Sequence, residues 1–132
     1  MRTYDDKAVT ILASALAGSD EALSMLQRSE LMQLVAVYEH IVNDDEEALR
    51  WLIQHQFPEL ALFSRAVNKR DLHAVRELMK LGHPKWVAAI NAGLGDKKAM
   101  QWLETYKLKG YAEIAKVLES KQLFGRRKGF FS

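Results

Sequence analysis

Cysteine is missing from the 132-residue chain, which excludes disulfides, thiolate metal sites and cysteine nucleophiles and allows a reducing compartment. Proline occurs only twice. No apolar run approaches the roughly 20 residues that a bilayer span requires, and Met1-Arg2-Thr3-Tyr4-Asp5-Asp6-Lys7 carries acid where a secretory leader carries only base. These absences predict a cytoplasmic protein with no stable membrane insertion. What remains, 48% hydrophobic and 27% charged residues, is the composition of a folded domain, and the length suits one core rather than two.

The net charge of +2 hides an uneven distribution. Residues 1 to 66 hold five Lys and Arg against eleven Asp and Glu, a balance of −6, whereas residues 67 to 132 hold fourteen against six, a balance of +8. Such a chain has an acidic and a basic half, able to orient a partner or a second copy through salt-sensitive attraction.

The chain repeats. Segments beginning Ser19-Asp20-Glu21-Ala22, Asp45-Glu46-Glu47-Ala48, Asp71-Leu72-His73-Ala74 and Asp96-Lys97-Lys98-Ala99 start 26, 26 and 25 residues apart. Each places a leucine four positions after its alanine, at Leu26, Leu52, Leu78 and Leu103, so both fall on one helical face. Leu34, Leu60, Trp86 and Tyr111 carry the period through the second half of the unit. Ser or Asp at the start accepts hydrogen bonds from the free amides of a first helical turn, and the acids after Ser19 and Asp45 suit the positive end of the helix dipole. A helix of about ten residues then meets a break, as at Phe57-Pro58 or Gly82-His83-Pro84, beyond which proline opens the next helix. The second helix has its own stripe, Leu31, Leu34, Val35, Tyr38 and Val42 in one unit and Leu60, Phe63 and Val67 in the next. Asn43-Asp44 and Gly93-Leu94-Gly95 close two of the units.

Ten-residue helices do not persist alone in water, so the hairpins must stack. Residues 6 to 16 supply the second helix of an incomplete opening unit and residues 111 to 118 close the array. The prediction is an all-α fold of nine helices, in hairpin repeats of about 26 residues stacked as an α-solenoid or compact helical array. Val35-Ala36-Val37-Tyr38 has local strand character, but its alignment with Ala61-Leu62-Phe63-Ser64 favours helix. The repeat domain spans 1–123, and 124–132 form a basic aromatic tail.

Val75-Arg76-Glu77-Leu78-Met79-Lys80-Leu81-Gly82, followed by Pro84, Ala88-Ala89, Gly95, Ala99 and Leu103, resembles a degenerate ankyrin repeat reduced to its paired helices. The period is about seven residues short of that family's 33, which leaves little room for the projecting β-turn finger, and the Thr-Pro-Leu-His opening is missing. The resemblance implies a scaffold for protein interaction.

Chemistry leaves little trace. His40, His55, His73 and His83 form no His-Glu-x-x-His or other close ligand pair, and the run Asp44-Asp45-Glu46-Glu47 lacks the alternation and glycine of a calcium loop, its acids being accounted for by capping. Gly93-Leu94-Gly95 has no Gly-Lys-Ser/Thr to cradle a phosphate, and Ser64 has no predicted histidine and carboxylate near enough in the proposed fold to make it a nucleophile. The expectation is therefore a non-enzyme with no cofactor and no metal.

Binding is the remaining class. Trp51 and Trp102 stand six residues after Asp45 and Asp96, where they either fill the seam between hairpins or line a recurring groove; with Arg50 and Arg76 they are the candidate protein-binding residues. The basic stretch suggests a second reading. Lys107, Lys109, Arg126, Arg127 and Lys128, interleaved with Tyr111, Phe124, Phe130 and Phe131, combine cations for phosphates with rings for bases, the pattern of a nucleic-acid binder. The same tail also suits capping of the last hairpin, self-association or an anionic membrane. The function predicted is a non-catalytic scaffold for a protein partner or for self-association, with nucleic-acid binding through the basic half as the alternative.

Overall fold

The computed structural model describes residues 4–125. Among them are nine α-helices and no strand: α1 (Asp6–Leu16), α2 (Asp20–Arg28), α3 (Met32–Asn43), α4 (Glu46–Gln54), α5 (Pro58–Asn68), α6 (Leu72–Lys80), α7 (Pro84–Gly93), α8 (Lys97–Thr105) and α9 (Lys109–Ser120). None is long and apolar enough to cross a membrane. The basic candidates Arg126, Arg127 and Lys128, with Phe130 and Phe131, lie outside the described residues.

Local chemistry sets the helix starts where the repeat places them. Ser19, Asp45, Asp71 and Asp96 hold extended backbone and accept a hydrogen bond from the amide three residues on, at Ala22, Ala48, Ala74 and Ala99. Pro58 and Pro84 open α5 and α7 as first residues, where no amide donor is needed. Each hairpin turns through one residue in the left-handed region, Glu30, Gln56, Gly82 or Lys107. The following amide bonds back to the repeat leucine, as from Phe57 N to the Leu52 carbonyl at 2.9 Å. The units are thus helix–turn–helix pairs without β-turn fingers, an arrangement consistent with a degenerate, finger-less ankyrin-like repeat.

The odd and even helices have different surroundings. In α2, α4, α6 and α8 only the alanine and leucine face turns inward, with Leu26, Leu52, Leu78 and Leu103 fully buried. The odd helices are buried on several sides. In α3, Val37, His40 and Ile41 are covered as completely as Leu34 and Val35 on the predicted stripe. Successive odd helices pack side by side, and each even helix lies across the joint between its two neighbours, α2 over α1 and α3, α8 over α7 and α9. The odd helices are parallel, because their corresponding ends meet: Gly110 near the start of α9 bonds to Asp6 at the start of α1, and Asn68 at the end of α5 bonds to the His40 carbonyl near the end of α3.

The array closes on itself. The most extensive helix contact in the chain is between α1 and α9, so five parallel inner helices form a ring braced by four outer ones. At this one joint, among the described residues, no outer helix lies across the pair. The two backbones come correspondingly close. A Cβ at Gly110 would stand 2.8 Å from the Asp6 carbonyl oxygen and 2.9 Å from Val9 Cβ, and the Gly110 amide donates to Asp6 Oδ1 at 2.6 Å. Glycine is required here by proximity, not by a turn. Gly93, the last residue of α7, serves similarly between α7 and α9, facing Leu118 and the ring of Phe124, and Gly95 takes the left-handed turn that closes the unit. Trp86, on α7, is a core residue 3% exposed, its ring 4.6 Å from Phe63 and 5.0 Å from Tyr111.

Candidate functional site

All four predicted protein-binding residues lie on outer helices. Arg50 is exposed on α4 and paired with Glu47 on the preceding turn. Trp51, next to it, is half-buried and stacks on His55 at 4.1 Å and on Phe57 at 5.9 Å. Arg76 is exposed on α6. Trp102 on α8 is 37% exposed, with its ring 5.4 Å from that of Tyr106 one turn later. The two tryptophans therefore hold equivalent positions in different environments, Trp51 covered by its neighbours and Trp102 open.

Beside them the outer surface carries apolar side chains that the tryptophan argument did not single out. Ile53, Leu72, Met79, Leu81 and Tyr106 are exposed, Tyr106 by 63%. The repeat alignment contains the signal for four of them. Ile53 and Met79 both stand eight residues after a capping aspartate, and Leu81 and Tyr106 both stand ten after one. The first column lies off the face of the alanine and leucine, where a helix that only packs inward has no need of apolar groups, and the second falls on the residue that ends the outer helix, exposed in both units.

The basic candidates that fall within the described residues, Lys107 and Lys109, border a cleft of about 560 Å3 at the α8–α9 corner against α1. Lys116 joins them there, but so do Asp6, Glu104 and Glu113, and Lys116 pairs with Glu113 at 3.2 Å. The cleft mixes charges and is not a cationic track. Phe124, at the start of the predicted tail, is half-buried against the core beside Gly93, and the Gly125 amide bonds to the Val67 carbonyl at 2.8 Å.

A polar cluster between α3 and α5 was not foreseen. His40 and Ser64, fully buried, meet with Nδ1 and Oγ 2.5 Å apart. Asn68, 2% exposed, donates from Nδ2 to the His40 carbonyl at 2.8 Å and to Asp44 Oδ1 at 2.9 Å. Glu46 Oε2 lies 3.4 Å from His40 Nε2 and 3.6 Å from Lys69 Nζ. The chain reaches this arrangement because Asp44 ends α3 in the left-handed region and Asp45 caps α4, which turns Glu46 back toward the end of α3. Burial lowers the His40 pKa, against the opposing pull of Glu46 and Asp44.

Ser64 thus does have a histidine and, beyond it, a carboxylate, contrary to the expectation from sequence. The order of atoms is that of a nucleophile, base and orienting acid, yet a fully buried Ser64 Oγ has no surface on which to receive a substrate. The signal was again columnar: His40 aligns with Ser14, Ala66, Ala92 and Val117, and Asn68 with Leu16, Val42, Leu94 and Glu119. A histidine in a column whose other members are small or apolar, Ser14 included, marks a polar site in the core.

Compared with models of known protein families, with curated proteins and with solved structures, the chain matches none, so its functional reading is drawn from this geometry.

Proposed function

We propose that the chain is a non-catalytic scaffold that binds a protein partner through its outer helices. The observation that carries this reading is the exposed apolar set on α4, α6 and the end of α8, Ile53, Met79, Leu81 and Tyr106, recurring in register with the repeat. Trp102, Arg50 and Arg76 supply anchor residues of the kinds favoured at interfaces. The inner ring fixes the spacing of the outer helices, so contacts come from a preformed surface and little ordering is needed on binding. The enclosure of Ser64 supports the absence of catalysis at the one serine and histidine pair described above. Nucleic-acid binding is the competing reading, and the mixed charge around Lys107 and Lys109 does not favour it.

The test is capture from native extract over a salt series, with protein and nucleic acid identified separately. The bait is the wild-type chain or a variant combining Ile53→Ser, Met79→Ser and Tyr106→Ser. A stoichiometric protein that survives nuclease treatment and is lost by a variant of unchanged Tm supports the scaffold. Capture indifferent to the three substitutions refutes this surface. Nuclease-sensitive, salt-weakened material that requires Arg126, Arg127 and Lys128 replaces the reading with nucleic-acid binding.

A further inference from the structure

We propose that His40, Asp44 and Glu46 form a binding site for one divalent transition-metal ion of the zinc or cobalt class. One ligand atom from each residue lies within 4.8 Å of the others. The independent observation is at His40. Its side chain is fully buried, and Nε2 faces Glu46 Oε2 at 3.4 Å, a long contact that falls short of hydrogen-bond geometry. A buried ring nitrogen satisfied only by so long a contact costs free energy, which a cation between it and the carboxylate would recover.

The chemistry of the cluster selects the ion. One imidazole nitrogen with two carboxylates is a borderline donor set, suited to zinc, cobalt or manganese and poorly suited to calcium or magnesium, which prefer oxygen throughout. Three protein donors leave a position for water, as in open sites. Around the donors stand the groups that would orient them. Ser64 Oγ, 2.5 Å from Nδ1, accepts its proton in the tautomer that leaves the Nε2 lone pair free, and Asn68 Nδ2 steadies Asp44 at 2.9 Å. The end of α3 adds the negative pole of its dipole.

A tetrahedral shell brings donors to roughly 3.3 Å from one another when metal bonds are near 2.0–2.1 Å, so Asp44 and Glu46 must swing inward. Both are exposed, Asp44 held by Asn68 Nδ2 and Glu46 beside Lys69, while His40 stays enclosed. The cation of Lys69, 3.6 Å from Glu46 Oε2, sits beside the site and would compete for that carboxylate.

The test uses the full, tag-free chain after chelator treatment, titrated separately with Zn2+ by calorimetry and with Co2+ by visible absorption. The expected result is one ion per chain and a cobalt spectrum that zinc abolishes. Asp44→Asn and Glu46→Gln should each weaken uptake at least about tenfold at unchanged Tm. Asparagine tolerates the left-handed backbone at 44, so the fold is kept. Glu113→Gln, remote in sequence and on α9, should change nothing, and Lys69→Met should tighten binding. Absence of saturable uptake at millimolar metal, or uptake that Asp44→Asn and Glu46→Gln leave unaltered, overturns the site.

Discussion

Replacing Gly110 by alanine tests the closure of the ring at its tightest point. In a helix exposed to solvent this change is favourable by up to about 1 kcal/mol. Here the new methyl would stand 2.8 Å from the Asp6 carbonyl oxygen, a backbone atom, and 2.9 Å from Val9 Cβ. Neither neighbour is the loose end of a side chain, so α1 and α9 must part or tilt. Overpacking of this kind costs about 1–3 kcal/mol. Parting the helices also stretches the 2.6 Å bond from Gly110 N to Asp6 Oδ1, worth about another 1 kcal/mol. The net expectation is a destabilisation of about 1–3 kcal/mol, opposite in sign to the helix propensity. Equilibrium urea unfolding followed by circular dichroism reads it as a midpoint lowered by about 1 M for a chain of this size. Gly93→Ala is the internal comparison. Its methyl would meet Leu118 Cβ at 3.1 Å and the Phe124 ring at 3.2 Å, looser contacts than those at Gly110 and with no backbone atom among them, and it should cost less. An unchanged or raised midpoint for Gly110→Ala would refute the close approach of the first and last helices.

Three other measurements bear on the core. Trp86→Ala should lower stability by about 3–5 kcal/mol and Trp102→Ala by less than about 2 kcal/mol, because the first is enclosed between Phe63 and Tyr111 and the second is 37% exposed; equal losses in urea unfolding would contradict these environments. Ser64→Ala strands Nδ1 of a buried histidine and should cost about 1–3 kcal/mol in the same assay, a neutral result meaning that the 2.5 Å contact contributes nothing. Burial, with smaller contributions from Tyr4 and Asp6, pushes the Tyr111 phenol up to about 12. Since that exceeds the unfolded value near 10, its contribution is complete below pH 10 and is lost as pH rises toward 12. The wild type should lose up to about 2.7 kcal/mol more than Tyr111→Phe over that interval, and parallel pH profiles would show the phenol to be exposed.

Local features of the fold were legible because they act within one helical turn. A capping aspartate followed by alanine and leucine announces itself wherever it stands, and Pro58 and Pro84 mark helix starts by what proline lacks. The turns were less visible. At the hairpin turns Glu30, Gln56 and Lys107 take the left-handed backbone that a glycine takes in the unit of Gly82, so the tertiary fold imposes a conformation their side chains do not advertise. Closure was not legible at all. It depends on Gly110 meeting Asp6 across 104 positions, and a single glycine in the first turn of a helix carries no periodic signal. The site between α3 and α5 lay between these cases. Asp45 was rightly assigned to capping, but the role of its neighbours Asp44 and Glu46 follows from the fold of the turn around it. Ser64 and Asn68 reach His40 from the next unit. The exposed apolar columns on the outer helices were present in the alignment, but each is apolar in only two of the four units, Gln27 and Glu104 interrupting one and Ser29 and His55 the other.

The joint between α1 and α9 also orders events during synthesis. Every other inner helix has its next neighbour within about one repeat, so hairpins can add to hairpins as they leave the ribosome. Helix α1 differs. Part of its apolar face, including Val9, belongs against a segment made some hundred residues later. Until then that face is bare, and a second nascent chain offers the same complementary surface. The encounter of the two ends is the slow, non-local step that such topology imposes, and crowding of nascent chains should convert part of it into exchange of α1 between copies.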